Sequence, residues 1–278
     1  MEAIDMSAPS VAVLSGFGIN CEYETMAAFE FAGAETFKIH VNSIVRGHEK
    51  LLDYDILAIP GGFSFGDHLG SGRLLGNRLR FSLGDQVKSF VNSGRPVIGI
   101  CNGFQVLVKM GLLPGDSGLT MTQTASLTTN DSGKYEDRWV TIELDANSPC
   151  IWTRGIQRLR VPVRHGEGKF VTNDVNLMDK WEGRGQLVAR YVDPESQYPA
   201  SSSDVLPYPT SPNQSWRNIA GVCDPTGLIF GIMPHPEAFH STWLSPDWTR
   251  KPPKKHGISP AIAIFRNAVE YSLEKETE

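Results

Sequence analysis

The stretch that most constrains the chain is Val97-Ile98-Gly99-Ile100-Cys101-Asn102-Gly103-Phe104-Gln105. A short apolar run ends at a cysteine and a helical pattern begins at once, with glycine two places before and two places after. A strand-to-helix turn this sharp crowds the neighbouring backbone, so the flanking positions need residues without a Cβ. It exposes the sulfur at the strand's C-terminal end, where open α/β sheets bind ligands. The helix N-terminus beneath it favours thiolate, the nucleophilic form. The plainer alternative is a buried cysteine at a routine βα turn.

The surrounding sequence supplies the sheet that such a turn requires. Val11–Leu14, Thr36–Val41, Asp55–Pro60 and Pro96–Ile100 read as strands, the first ending at Ser15-Gly16 and the third running into Gly61-Gly62. Between them lie helical patterns from about Tyr23 to Ala32, stopped by Gly33, and around Asp85–Asn92, ending near Gly94. Phe104–Met110 is apolar on more than one face and reads as a core helix. Alternation of this kind predicts a mostly parallel sheet flanked by helices. The second half changes character: Trp139–Leu144, Arg158–Val163, Leu187–Val192, Ile219–Cys223 and Leu228–Met233 read as strands with few helices between them. Asp224-Pro225-Thr226-Gly227 is a good turn, so the last two should form an antiparallel hairpin. A Pro- and Ser-rich loop is expected at 193–217 and an aromatic and basic excursion at 239–258, the latter carrying the run Arg250–Lys255. The final helix should start at Ser259 as N-cap with Pro260 behind it, burying Ile262, Phe265, Val269 and Leu273. Residues 1–278 are expected to form one α/β domain with a β-rich extension.

Composition removes several function classes. With 26 Lys plus Arg against 31 Asp plus Glu, the net charge is −5, which argues against a nucleic-acid partner. No apolar run approaches the ~20 residues that span a bilayer. The N-terminus lacks the basic start of a signal peptide, so a soluble, cytoplasmic protein is expected. The four cysteines at 21, 101, 150 and 223 lack C-x-x-C spacing. A zinc site therefore has little support, and Cys21, Cys150 and Cys223 are expected to be small buried hydrophobes.

A thiol nucleophile needs a base, and the base an orienter. Among seven histidines, His235 stands out in Met233-Pro234-His235-Pro236-Glu237, just past a predicted strand and framed by prolines. Glu237 is two residues on and can reach the same face in an extended segment. A Cys101–His235–Glu237 triad follows, with Glu237 holding the imidazole tautomer. Gly61 and Gly62 in Pro60-Gly61-Gly62-Phe63-Ser64 allow backbone N–H groups to face an oxyanion, although such a loop alone is more often just a turn. There is no P-loop and no G-x-G-x-x-G. Arg164-His165-Gly166-Glu167-Gly168 also suggests backbone exposed to a ligand, but His165 and Glu167 lack a rigid proline frame. No further metal ligands converge on His235-x-Glu237 by spacing.

Taken together, Gly-Ile-Cys-Asn-Gly-Phe-Gln at 99–105, Pro-Gly-Gly-Phe-Ser at 60–64, His-Gly-Glu-Gly at 165–168 and Met-Pro-His-Pro-Glu at 233–237 resemble the class I (triad) glutamine amidotransferases. Gly-Ile-Asn-Cys-Glu at 18–22 and Ser-Pro-Asn-Gln-Ser at 211–215 narrow the resemblance to the glutaminase components of phosphoribosylformylglycinamidine synthases, with Gln214 where a glycine is expected. The resemblance implies a flavodoxin-like amidotransferase fold and hydrolysis of glutamine to glutamate and ammonia. It implies an oxyanion hole at Gly62, Phe63 and Asn102, and glutamine contacts at Gln105, Gly166 and Glu167. The partner implied is a large synthetase subunit, with or without a small accessory one; ATP and magnesium belong to that partner, and this chain needs no metal or other cofactor. The alternative is a free-standing Cys-His hydrolase of the same architecture.

Overall fold

The computed structural model describes residues 7–196, 204–251 and 257–276. The N-terminal half builds strands β1 (Ser10–Ser15), β2 (Glu35–His40), β3 (Ile56–Ile59) and β4 (Val97–Ile100). Helices α1 (Glu22–Ala32), α2 (Val41–Val45), α3 (Arg73–Asn92) and α4 (Asn102–Met110) connect and cover them. β3 and β4 are buried at every position, as strands covered on both faces must be. Gly33 and Gly111 terminate α1 and α4 in the left-handed conformation, at φ 97° and 78°, which glycine adopts without a Cβ penalty.

The second half adds β5 (Ala125–Thr128), β6 (Glu136–Leu144), β7 (Arg158–His165), β8 (Lys169–Thr172), β9 (Ala189–Val192), β10 (Ile219–Cys223) and β11 (Ile229–Ile232), with helices α5 (Val175–Gly183) and α6 (Ala263–Glu276). Nine strands form one sheet in the order β2-β1-β3-β4-β11-β10-β9-β6-β7, while β5 and β8 pair separately. Neighbours from β2 to β11 run parallel and those from β11 to β7 antiparallel. The β-rich region is thus the antiparallel continuation of the same sheet.

The seam between the two halves is the β10–β11 hairpin. Asp224 is 1% exposed and organises the turn: its carboxylate accepts the Thr226 hydroxyl at 2.6 Å and the Ile229 N–H at 2.8 Å. The turn returns the chain so that β11 lies parallel to β4, with Gly231 opposite Gly99 and Ile232 opposite Ile100. The C-terminal ends of β4 and β11 are therefore side by side. At the other end of the chain Ser259 accepts the Ala261 N–H, and Ile262, Phe265 and Val269 are buried as expected, with Leu273 half-buried.

Several elements depart from the sequence expectation. α3 begins at Arg73 rather than near Asp85 and carries Gly76 and Gly84 inside it. A Cβ on Gly76 would lie 3.0 Å from Lys109 Cβ and 3.2 Å from Val106 O, so this glycine sets the close approach of α3 and α4. The β5–β8 pair and α5 were not foreseen. α5 has an Asp174 cap accepting the Asn176 N–H and buries Met178 and Trp181, a short pattern easily lost among strands. The expected loop 193–217 carries no strand in its described part before a 3₁₀ turn at Trp216–Asn218; residues 197–203 lie outside the described residues. The excursion 239–258 contains a 3₁₀ turn at Thr242–Leu244 and an isolated bridge from Ser241 to Ile258. Of the basic run Arg250–Lys255, residues 252–255 lie outside the described residues.

Two glycine substitutions should separate backbone entropy from packing. A Cβ at Gly84 meets only the Met121 side chain, with Sδ at 3.7 Å and Cε at 4.0 Å, so Gly84→Ala should stabilise by about 0.5–1 kcal/mol. A Cβ at Gly103 would fall 1.8 Å from Ile59 O, so Gly103→Ala should cost about 3 kcal/mol or more. Denaturant midpoints of the two variants check both signs.

Candidate active site

β4 runs straight into Cys101, whose backbone takes φ 51° and ψ −103°, a strained conformation for a residue with a Cβ. The two flanking glycines make this turn possible. A Cβ on Gly99 would lie 2.5 Å from Gly103 O, and one on Gly103 would strike the end of β3. Cys101 N–H donates to Ile232 O at 2.8 Å, tying the elbow to the neighbouring strand, and Cys101 O accepts the Gln105 N–H at 3.1 Å. The thiol is 6% exposed, with Sγ 3.4 Å from Arg164 O.

His235 lies three residues beyond the end of β11, and its N–H donates to Pro162 O at 2.8 Å. Its Nδ1 is 2.6 Å from Glu237 Oε1, and the two side chains are only 2% and 0% exposed. A carboxylate at that distance fixes the proton on Nδ1 and leaves Nε2 to act. Burial works against the imidazolium, but Glu237 foremost, and then Cys101 and Cys21, hold the His235 pKa well above its ordinary value. His235 Nε2 and Glu237 Oε2 are buried without a protein hydrogen-bond partner. A cavity of about 170 Å³ opens here, lined by Asn20, Cys21, Glu24, Gly62, Phe63, Cys101, Tyr135, Arg164 and His235.

The residues expected around this centre divide into two groups. Gly62 and Phe63 line the cavity. Gly62, at φ 152°, is pressed so closely by Gly18–Asn20 that a Cβ would lie 2.6 Å from Gly18 O. The Phe63 N–H, however, donates to Gly18 O at 2.9 Å and is not free for an oxyanion in this arrangement. Asn102 starts α4, where the first N–H groups have no intrahelical acceptor; its Oδ1 accepts the Ser64 N–H at 3.2 Å. Gln105, Gly166 and Glu167 lie behind the cavity rather than on its wall. Gln105 accepts from Asn102 Nδ2 at 2.9 Å and donates to Glu167 O at 2.6 Å. It ties α4 to the 165–168 loop with both ends of its amide already engaged.

That loop is also held from below, by residues sequence reasoning passed over. Asn130 donates from Nδ2 to His165 O at 2.9 Å and accepts the Gly168 N–H on Oδ1 at 3.0 Å. Its backbone N–H donates to Gly166 O at 2.9 Å. From the far side, Asn213 Nδ2 donates to Gly168 O at 2.8 Å. Gln214, standing where glycine was expected, adopts φ 58° and offsets that strain by donating from Nε2 to Leu206 O and Ser211 O, both at 2.9 Å. His165 and Glu167 are not a pair: His165 Nδ1 meets Asn130 Oδ1 at 3.1 Å, while Glu167 Oε2 accepts the Ser71 N–H at 3.1 Å. Burial, reinforced by the charge of His235, pushes the His165 pKa down to about 3.

Cys21 corrects the reading of the cysteines. Cys150 and Cys223 are buried, but Cys21 is half-buried and lines the cavity beside His235. Gly61 makes the room, since a Cβ there would lie 2.8 Å from His235 Cε1 and 3.2 Å from Cys21 Sγ. The only sequence signal was its place in Gly-Ile-Asn-Cys-Glu after the first strand.

An α/β sheet with a cysteine elbow on one strand and a His–Glu pair on its parallel neighbour has the organisation of a triad glutamine amidotransferase. The chain belongs to the family described as CobB/CobQ-like glutamine amidotransferase domains, which it matches over residues 8–272. It is 42% identical over 271 residues to the phosphoribosylformylglycinamidine synthase subunit PurQ of Methanococcus maripaludis, covering 95% of this chain and 97% of that one. To the subunit of the same name from Dehalococcoides mccartyi it is 40% identical over 267 residues, with 96% and 99% covered. Among solved structures it resembles PurLQS from Thermotoga maritima, with a TM-score of 0.66, 27% identity, and 98% of this chain and 100% of that chain covered.

The buried His165 makes a testable contribution to acid stability. With a folded pKa near 3 against an ordinary 6.5, the unfolded chain binds a proton between those limits that the folded chain refuses. Stability from this group is therefore complete above about pH 6.5 and falls as the pH drops toward 3. His165→Gln should lose less Tm than the wild type between about pH 7.5 and pH 5. Equal losses would remove His165 from the acid response.

Proposed function

We propose that this chain is the glutamine-hydrolysing subunit of a phosphoribosylformylglycinamidine synthase. It frees ammonia from glutamine and passes it to a large synthetase subunit, which makes formylglycinamidine ribonucleotide in ATP-dependent purine synthesis. The observation that carries the hydrolytic reading is the side-by-side ending of β4 and β11, which sets the Cys101 elbow and the His235–Glu237 pair around one cavity. The pathway reading draws on the names of the curated relatives, matched over nearly their whole length. One sheet running through both halves supports treating residues 1–278 as a single amidotransferase unit, and the cytoplasm is the compartment assigned.

In this reading Cys101 Sγ attacks the carboxamide carbon of glutamine while its proton resides on His235 Nε2. The negative charge that develops on the carboxamide oxygen meets the N–H groups at the start of α4 and beside Gly62. Collapse of the tetrahedral adduct breaks the C–N bond, and His235 returns the proton to the departing ammonia. Water then attacks the thioester with His235 as base, releasing glutamate and restoring the thiol. Glu237 stabilises the imidazolium through Nδ1. Gln105, Gly166 and Glu167 act as one positioning unit for the substrate loop.

The engaged Phe63 amide adds a condition. Completing the oxyanion hole requires its hydrogen bond to Gly18 O to break, a rearrangement that docking of the synthetase subunit is suited to drive in a Gly-rich segment. The isolated chain should therefore hydrolyse glutamine slowly and speed up with the large subunit, nucleotide and formylglycinamide ribonucleotide. Full activity alone, unchanged by the partner, would favour a free-standing hydrolase.

Substitutions test the chemistry directly. In the assembled complex, Cys101→Ser should abolish glutamine-dependent synthesis while synthesis from added ammonia survives; loss of both would make Cys101 structural. His235→Asn should cost about 10²–10⁴ in rate, and more than Glu237→Gln, because the first removes the proton carrier and the second only its orienter. A smaller loss in His235→Asn than in His165→Asn would transfer the base role to His165.

A further inference from the structure

Gln105, Gly166 and Glu167, where glutamine contacts were expected, lie off the wall of the cavity that Cys101 and His235 share. Two side chains of opposite charge line that wall instead, Glu24 and Arg164. Arg164 is next to the nucleophile, since its carbonyl oxygen is 3.4 Å from Cys101 Sγ. It stands opposite Asp137 across the β6–β7 ladder, yet makes no ion pair with it. Glu24 sits in the first turn of α1, where the helix dipole keeps a carboxylate ionised. Both side chains are half-buried. Among the described residues, neither forms an ion pair or a side-chain hydrogen bond. A partly desolvated charge without a counterion costs free energy that a charged ligand can recover. Here two such charges of opposite sign face one small cavity.

We infer that Glu24 and Arg164 are specificity residues that hold the α-ammonium and α-carboxylate of a free amino-acid substrate. The inference deepens the reading of the chain as a glutamine hydrolase and rests on it. Free glutamine carries one positive and one negative group on the carbon farthest from its carboxamide. With the carboxamide at Cys101, that end meets the rest of the cavity wall. A cation alone would be repelled by Arg164 and an anion alone by Glu24, whereas a zwitterion satisfies both. A guanidinium can grip a carboxylate through two parallel bonds, which orients it as well as binding it. Gln105 and Glu167 then act indirectly. They fix the 165–168 loop through the Gln105 Nε2 to Glu167 O bond, and Arg164 is the residue that leads into that loop. No bond forms or breaks at this end of the substrate; its task is to hold the carboxamide carbon at Sγ. A carboxamide inside a peptide lacks both charges and is rejected.

The test pairs each residue with the substrate group it should hold. In the assembled complex, kcat/KM is measured for glutamine, for γ-aminobutyramide, which lacks the carboxylate, and for glutaramate, which lacks the ammonium. Arg164→Met should lower the value for glutamine about ten- to a hundredfold and that for γ-aminobutyramide little, so the wild-type preference between them collapses. Glu24→Gln should do the same for glutamine against glutaramate. Equal falls on all three substrates would make the residues structural, and a crossed pattern would reverse the assignment; either overturns it. A second measurement needs neither turnover nor a variant. Alkylation of Cys101 by iodoacetamide in the wild-type chain should be blocked by glutamate, and at least about tenfold less well by γ-aminobutyrate or glutarate. Equal protection by the three would overturn the subsite. A chain protected by glutamate in this way that never hydrolyses glutamine in the complex would refute the function and leave the subsite standing.

Discussion

The parallel pairing of β11 with β4 is the constraint on which the rest of the structure depends. Residues 101 and 235 are far apart in the chain, and no local preference brings them together. The register does so: with Ile232 opposite Ile100, the residues that follow each strand emerge on the same edge. The Cys101 N–H to Ile232 O bond at 2.8 Å closes the seam. One residue of slip would turn every following side chain to the other face. The register is protected by burial of both strands at every position and by the Asp224 turn that delivers β11.

Around that seam the protein buries charge, which is costly unless every group is compensated. His235 and Glu237 meet the requirement by pairing with each other, yet each keeps one polar atom without a protein partner. An incomplete pair is a poor way to gain stability and a good way to hold an imidazole ready for a ligand or a proton. The neighbouring network is different. Asn130, Gln105 and Asn213 spend their amides on the backbone of residues 165–168, so a loop with two glycines is fixed from three sides. Low local dielectric strengthens such bonds and penalises the loss of any one of them.

Much of this was legible in the sequence because it rests on local sterics. Gly99 and Gly103 announced the elbow since no other residue fits, and the clash a Cβ would make at either position bears out that argument. The Pro-His-Pro-Glu segment and the Asp224 turn were readable for the same reason. What escaped was long-range. Gly76 shows its purpose only once α4 is packed against α3, and the helix expected around Asp85–Asn92 covered only the end of α3. Cys21 was grouped with Cys150 and Cys223 because spacing cannot show that residues after β1 face the ends of β4 and β11. Asn130 carries no motif at all; its role exists only once β5, β7 and β8 surround it. Gln214 in place of glycine was noted as a departure, but only the structure shows that its side-chain bonds offset a left-handed backbone.

The segment that holds Cys21 also holds the Gly61–Phe65 loop. Four backbone hydrogen bonds join the two stretches: Asn20 N–H and Cys21 N–H to Gly61 O, Phe63 N–H to Gly18 O, and Phe65 N–H to Phe17 O. The rings of Phe17 and Phe65 stack at 4.5 Å between centroids, outside that ladder. Phe63 and Phe65 are 44% and 39% exposed, so the ladder has an apolar outer face open to solvent. Freeing the Phe63 amide removes one rung of this ladder, whose neighbouring rungs hold Asn20 and Cys21 to Gly61 O. The position of the second thiol beside His235 and the engagement of the Phe63 amide by Gly18 O are two readings of one local geometry.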